Sequence, residues 1–448
     1  MELLSNKPGQ KIIAYFALGI AVGTILLMLP FSSTGRPVLF IDALFTATSA
    51  ICVTGLVVLD TAKDFSLFGQ VVIMLLIQMG GLGIMTFATI LIMMTGTRLP
   101  LLDRLGLSQT FGSETRARSG QLLKAVFATT IIVEAIGAVL LFLSFRLQFP
   151  TATAAYHAVF HSVAAFCNAG FSTFSSNLQG YRHFLPVTMT IALLIILGGL
   201  GFVVIAEVLD RAKNKRSRLS LHSKICISTT AGLLIVGTLL FVIVERGNVF
   251  ARSGMIDSIA NSFFQAVTAR TAGFDTIPQA SLTDLSLLIT IILMVVGTCP
   301  GSTGGGIKTT TFAIIALLLF NRVKGRHSVA AFKRTIAPHS VVGALNILLL
   351  ALLLITFMCA ALMFFEHKSV PHTGSQGFFM ESLFEVVSAF GTVGLSAGLT
   401  PKLHFMGKLT LVITMFIGRV GLLTFAYSLA RPAKQGEIVY LDEPVMIG

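Results

Sequence analysis

Eight runs of this chain are apolar and long enough to cross a lipid bilayer. They lie at about 12–30, 67–95, 121–145, 185–209, 225–245, 284–320, 341–365 and 403–429. Of the 448 residues, 54% are hydrophobic and 11% are charged, whereas soluble domains carry about 25% charged residues. The chain is therefore an all-α polytopic membrane protein, with the lipid bilayer as its solvent. Its net charge of +13 does not point to nucleic acid, because a soluble basic domain would not be this apolar. The N-terminal "NKPGQKIIAYFALGIAVGTILLMLPF" has the charge order of a signal peptide. Its apolar run is long and lacks an A-x-A site, so it reads as a retained first membrane helix.

The runs fall into pairs, and each pair encloses a short apolar stretch of about ten residues, too short to span. The four connectors are "ALFTATSAICVTGLVVLD", "AVFHSVAAFCNAGFSTFS", "SFFQAVTARTAGFDTIPQ" and "SLFEVVSAFGTVGLSAGL". In each a Phe stands ten residues before a Gly: Phe45 and Gly55, Phe160 and Gly170, Phe263 and Gly273, Phe384 and Gly394. Leu or Phe follows every one of these glycines, and Ala50, Ala165, Thr268 and Ala389 share a register. This is an internal fourfold repeat. The second long helix of each pair has its own register of small residues, "GGLG" at Gly80 and Gly198, Gly297 in the third and "GRVG" at Gly418.

The expected units are 11–97, 119–211, 222–321 and 339–431, followed by a cytoplasmic tail, 432–448. Their pore loops are 42–57, 156–172, 257–275 and 381–396. Loops 96–124, 210–224 and 321–339 with both termini hold 20 of the 32 basic residues, which predicts cytoplasmic termini and short helices entering from outside. Ten helical residues cover about 15 Å, half the hydrocarbon, so four helix C-termini would meet near the midplane and favour a cation. Glycine then lets the backbone turn back, with preceding carbonyls replacing an ion's hydration shell. The expected selectivity filter is Cys52-Val53-Thr54-Gly55, Cys167-Asn168-Ala169-Gly170, Arg270-Thr271-Ala272-Gly273 and Gly391-Thr392-Val393-Gly394. The last has the Thr-Val-Gly order of potassium channel filters.

One stretch departs from the repeat. "GTCPGSTGGGIKTTTF", 297–312, resembles a phosphate loop, but Ile307 separates Gly306 from Lys308 and the G-x-x-x-x-G-K-[ST] pattern fails. It is the third repeat's glycine patch, enlarged and broken. The five cysteines (Cys52, Cys167, Cys226, Cys299, Cys359) are far apart without a C-x-x-C and read as isolated buried thiols.

With these four connectors, eight long helices and a broken third-repeat helix, the chain resembles the Trk/Ktr/HKT superfamily of potassium-translocating membrane subunits. The bacterial Ktr type is the nearest match, from about Lys11 to Arg431. The resemblance implies four concatenated helix–pore loop–helix units around one pseudo-fourfold pore, with Gly55, Gly170, Gly273 and Gly394 as filter glycines. It maps an intramembrane gating loop onto 297–309. It further implies a homodimer on a cytosolic ring of nucleotide-binding (RCK-type) regulatory subunits, in a bacterial cytoplasmic membrane. Potassium is the expected ion at the filter carbonyls, no covalent cofactor is expected, and sodium is left open as a coupling (symport) or activating ion.

Physics supports a gate there. Pro300 removes a helix hydrogen bond, and Gly301, Ser302, Thr303, Gly304, Gly305 and Gly306 disfavour helix. Charges at membrane depth call for a role. Arg419 is expected to hydrogen-bond the gate loop's carbonyls, or else to pair with an acid. Lys308 is expected to snorkel to the interface, with a place in the gate as the second reading. Arg270 is expected to buttress the filter, paired with Glu134 or Glu385. Asn168 either offers its amide to the filter or caps the turn, and the turn is preferred. His161 aligns with Thr46 and Gln265 and reads as a packed histidine. Three functions are open to such a chain: a gated potassium pore, a secondary transporter for another cation or solute, and an enzyme. Four repeats in one orientation favour the pore over inverted-repeat transporters. The histidines and carboxylates form no catalytic cluster in the sequence.

Overall fold

A computed structural model describes residues 8–95, 115–213, 218–326, 328–366 and 375–422. The C-terminal tail 432–448, expected to be cytoplasmic, and most of the basic loop 96–124 lie outside these residues. The helices are α1 Pro8–Met28, α2 Phe40–Ile51, α3 Leu67–Thr95, α4 Thr115–Phe145, α5 Thr151–Phe166, α6 Leu185–Leu200 and α7 Phe202–Lys213. They continue as α8 Leu221–Val244, α9 Met255–Thr268, α10 Asp284–Val295, α11 Thr309–Val323, α12 Pro338–Glu366, α13 Phe378–Gly391 and α14 Phe405–Val420. A two-stranded antiparallel hairpin, β1 Ala330–Ala331 and β2 Arg334–Thr335, precedes α12.

Among the described residues four helices are long and apolar enough to cross a membrane unaided, and each opens a repeat: Gln10–Met28, Val126–Phe145, Leu221–Gly247 and Pro338–Glu366. Only 22–33% of each span is buried, so side chains such as Leu18, Ile132, Leu239 and Leu353 face lipid. The short helices α2, α5, α9 and α13 are the interior. Phe45, Phe160, Phe264 and Phe384 are fully buried on them.

Two expectations need correction. The second long helix is continuous only in the first repeat. The second repeat's breaks at Gly201 (φ 84°), where α6 and α7 meet at 101°, and α14 ends at Gly421 (φ 93°); the third's opens into a loop, as its proline and glycines predict. The buried phenylalanine of the third repeat is Phe264 rather than Phe263, because that repeat's turn is one residue shorter. Its Ala272 N–H bonds Thr268 O, four residues back, where the other three repeats reach five.

The second helix of each repeat packs on the next repeat's short helix: α3 on α5, α6 on α9, α10 on α13, and α14 back on α2. The ring closes between the ends of the chain. There Lys408 Nζ meets Asp42 Oδ1 at 2.6 Å, joining α14 to the first turn of α2.

Candidate functional site: four bends and a broken helix

Three of the four short helices end in the same way. Val53 N–H donates to Ala50 O (3.1 Å) and Thr54 N–H to Ser49 O (2.7 Å). The same pair of bonds recurs at Asn168 and Ala169, and at Thr392 and Val393. This termination places one residue in the left-handed region, usually a glycine. Here the residues are Val53 (φ 56°), Asn168 (60°), Thr271 (62°) and Thr392 (49°). Three are β-branched, for which this region is a true outlier. Such strain persists only where surrounding structure enforces it, and it clusters at functional sites. Two residues later the backbone is left-handed again, at Gly55 (96°), Gly170 (68°), Gly273 (78°) and Gly394 (94°).

The four glycines form a closed ring. A Cβ added to Gly55 would lie 3.0 Å from Gly170 Cα, one on Gly170 2.8 Å from Gly273 Cα, one on Gly273 3.1 Å from Gly394 Cα, and one on Gly394 2.9 Å from Gly55 Cα. No larger residue fits there without displacing a neighbouring backbone. The mid-helix glycines serve the same bends from below. A Cβ on Gly80, Gly198 or Gly418 would run into the carbonyl of Ile51, Phe166 or Phe390. In the third repeat Gly297 instead abuts Gly305 O, because the helix has opened.

The opened segment lies against the inner side of the bends. A Cβ on Gly305 would strike Thr392 Oγ1 and lie 3.2 Å from Gly391 O; one on Gly304 would strike Thr271 Oγ1. The loop is anchored at its base, where Gly297 N–H bonds Ile307 O (2.8 Å) and Thr309 N–H bonds Thr298 O (3.1 Å). It is also anchored to the second repeat. Cys299 N–H donates to Gly199 O (3.0 Å), Thr303 Oγ1 to Phe166 O (3.2 Å), and Phe202 N–H to Gly301 O (3.1 Å). Ser302 Oγ donates within the loop to Cys299 O (2.6 Å) and lies 2.7 Å from Thr298 Oγ1. Gly301 and Gly306 have positive φ.

Arg419, 4% exposed, donates from Nη1 to Thr303 O (2.5 Å) and from Nη2 to Gly80 O. One guanidinium thus ties the loop to the first and fourth repeats. Lys308 does not reach outward to an interface; its Nζ lies 2.7 Å from Gly304 O. Arg270 donates from Nη2 to Gly297 O (3.2 Å), at the loop's base.

The pairing of Arg270 with Glu134 or Glu385 is not formed. Glu385 accepts from Ser396 Oγ (2.5 Å), Thr400 Oγ1 (2.5 Å) and the amides of Ala397 (3.1 Å) and Leu399 (3.3 Å). It stabilises the fourth repeat's return segment, and none of the described basic side chains pairs with it. Glu134 accepts from Gln78 Nε2 (3.3 Å) behind Cys167. Asn168 lies in the turn, its amide placed to donate to Ala165 O and Ile195 O. His161 is packed and bonded to Ser172 Oγ (2.9 Å). All five cysteines are free and buried, but Cys226 and Cys299 share one cluster and are not isolated.

Sequence reasoning missed several participants. Ser49 Oγ and Ser388 Oγ accept the amides of Gly55 (3.0 Å) and Gly394 (3.1 Å). Gln265 pairs with Gln279 (2.7 Å), at the register where His161 and Glu385 also hold their return segments. A serine six residues before the glycine in two repeats was the available signal.

The family model described as cation transport protein, TrkH, matches residues 1–439. The chain is 38% identical over 444 residues to Ktr system potassium uptake protein B of Bacillus subtilis, covering 98% of this chain and 97% of that one. It is also 38% identical to the potassium/sodium uptake protein NtpJ of Enterococcus hirae, covering 99% and 97%. The crystal structure of the potassium transporter TrkH from Vibrio parahaemolyticus superposes with a TM-score of 0.75 at 17% identity, over 96% of this chain and 86% of that one. The four-repeat helical architecture and the match along nearly the whole chain place this protein in the TrkH cation transport family.

Proposed function

We propose that this protein takes up potassium through the ring of Gly55, Gly170, Gly273 and Gly394, and that segment 297–309 gates that path from below. The single observation that carries the reading is the closed ring, one left-handed glycine per repeat, each against the next. Left-handed residues alternate with right-handed or extended ones at 53–55, 168–170, 271–273 and 392–394. Such alternation turns successive peptide planes, which supports carbonyls collected on one side as ligands for a dehydrated cation. The loop directly beneath, held by Arg419 and Lys308, supports a closed gate. The repeat boundaries set out from the sequence are the units of this proposal.

Relatives named for potassium and for potassium/sodium uptake favour potassium, with sodium as a coupling or activating ion. Cytoplasmic termini, a homodimer and a cytosolic nucleotide-binding ring belong to the same proposal, on the family resemblance. The exposed Phe332, Lys333 and Arg334 of the β1–β2 hairpin belong to the basic loop 321–339, expected on the cytoplasmic side, and would offer such a ring a docking surface.

The test is growth of a potassium-uptake-deficient bacterium at low external potassium. The wild-type chain should restore growth. Gly55→Asp and Gly394→Asp should abolish it, since each adds a side chain where a Cβ already meets the neighbouring glycine. Normal uptake by both variants would sink the filter assignment.

A further inference from the structure

Resting on the potassium-pore reading, we propose that Asn177 is a specificity-determining residue that makes the outermost ring of the filter unequal. Asn177 lies seven residues past Gly170, in the segment returning from the second bend. Its side-chain Nδ2 stands 3.5 Å from Gly170 O and 3.4 Å from Gly273 O, across the boundary between the second and third repeats. Its Oδ1 is buried and has no hydrogen-bond partner among the described residues. Its backbone is left-handed, φ 51°, a conformation that asparagine tolerates better than most residues.

The neighbours of Asn177 fix it in place. Leu178 N–H donates to Asp275 O (3.1 Å), and Gln179 Nε2 donates to Asp275 Oδ2 (2.8 Å). The stretch 177–179 is thus a strap laid from the second repeat onto the third, two residues past the third filter glycine. No described residue donates a hydrogen bond to the carbonyl of Gly55 or of Gly394. The four glycine carbonyls therefore divide. Two share their lone pairs with amide hydrogens, and two are uncommitted.

That division has a definite chemical effect. Amide hydrogens carry partial positive charge and compete with a cation for the carbonyl they touch. The outer ring then offers two full ligands and two weakened ones. An arriving ion keeps part of its hydration shell there, so the ring binds potassium loosely and separates it poorly from sodium. Discrimination is left to the carbonyls deeper in the filter.

Two substitutions at this position act in opposite directions on selectivity. Asn177→Gly keeps the left-handed backbone and removes the donor. It should lower the KM for potassium roughly three- to tenfold, the worth of one hydrogen bond, and widen the ratio of sodium to potassium KM. Asn177→Asp replaces the donor with a charged acceptor of high field strength. It should lower the KM for both ions and narrow that ratio. Initial potassium and sodium uptake rates would be measured in cells at matched membrane content, with Gln179→Ala as the variant that loosens the strap without touching the ring. Gln179→Ala should shift KM in the same direction as Asn177→Gly, by less. A purely structural strap would reduce the number of working pores, which lowers Vmax and leaves the KM ratio unmoved in all three. That outcome overturns the proposal. Should Asn177→Gly fail to accumulate, Asn177→Asp and Gln179→Ala carry the test alone. If the wild-type chain itself takes up no potassium, the pore reading has failed; if it does and the ratio stays fixed, only the role of Asn177 has.

Discussion

Arg419 shows how much one side chain holds in this molecule. It is buried at membrane depth, with both terminal nitrogens on backbone carbonyls, Thr303 O of the third repeat and Gly80 O of the first. A planar fork suits two separated acceptors; a lysine ammonium reaches only one of them well. Under the gate proposal, Arg419→Gln removes a charged hydrogen bond of about 1.5–3 kcal/mol from the closed loop. Rubidium uptake should rise about tenfold or more at equal membrane content, and Arg419→Lys should fall between. Unchanged or reduced flux in Arg419→Gln would count against the hold. The position of Arg419 was legible because a lone charge in an apolar helix stands out. The partner of Arg270 was not, since Glu385 is satisfied by backbone amides and hydroxyls of its own return segment. Carboxylates in a sequence do not announce that the main chain has already claimed them.

At the scale of elements, the same tetrapeptide behaves in two ways. "GGLG" at 80–83 stays inside the continuous α3, whereas "GGLG" at 198–201 ends α6 at Gly201. Local propensity is identical, so tertiary context decides. A Cβ on Gly201 would lie 2.7 Å from Pro300 O, and Phe202 N–H bonds Gly301 O. The break in the second repeat accommodates the loop of the third. The loop itself was legible from Pro300 and its glycines, and the four bends from their shared register. The second break was hidden because its cause lies a hundred residues downstream. Deleting 301–306 should therefore raise flux by removing the obstruction, and it should also free the α6–α7 junction. Faster hydrogen exchange at 202–205 would report the second effect. Unchanged flux from a correctly inserted deletion variant would remove the gate role.

For the whole molecule, the ring depends on a clasp between residues 366 positions apart, Lys408 and Asp42. Both lie mostly out of solvent, with side-chain exposures of 15% and 9%. Removing either partner strands a charge and should cost on the order of 3 kcal/mol, less the screening that the partial exposure of Lys408 provides. Lys408→Met and Asp42→Leu should each lower the melting temperature of the detergent-solubilised protein. The double variant should recover much of the loss, and simple additivity would argue that the pair is not coupled. The clasp exists because all four quarters are written on one polypeptide. A homotetramer stamps every substitution around its axis four times over. There, a lysine at the position of Lys308 would crowd four ammonium groups beneath one narrow passage. Concatenation lets a single quarter open its second helix into a loop while all four keep a left-handed glycine in the ring.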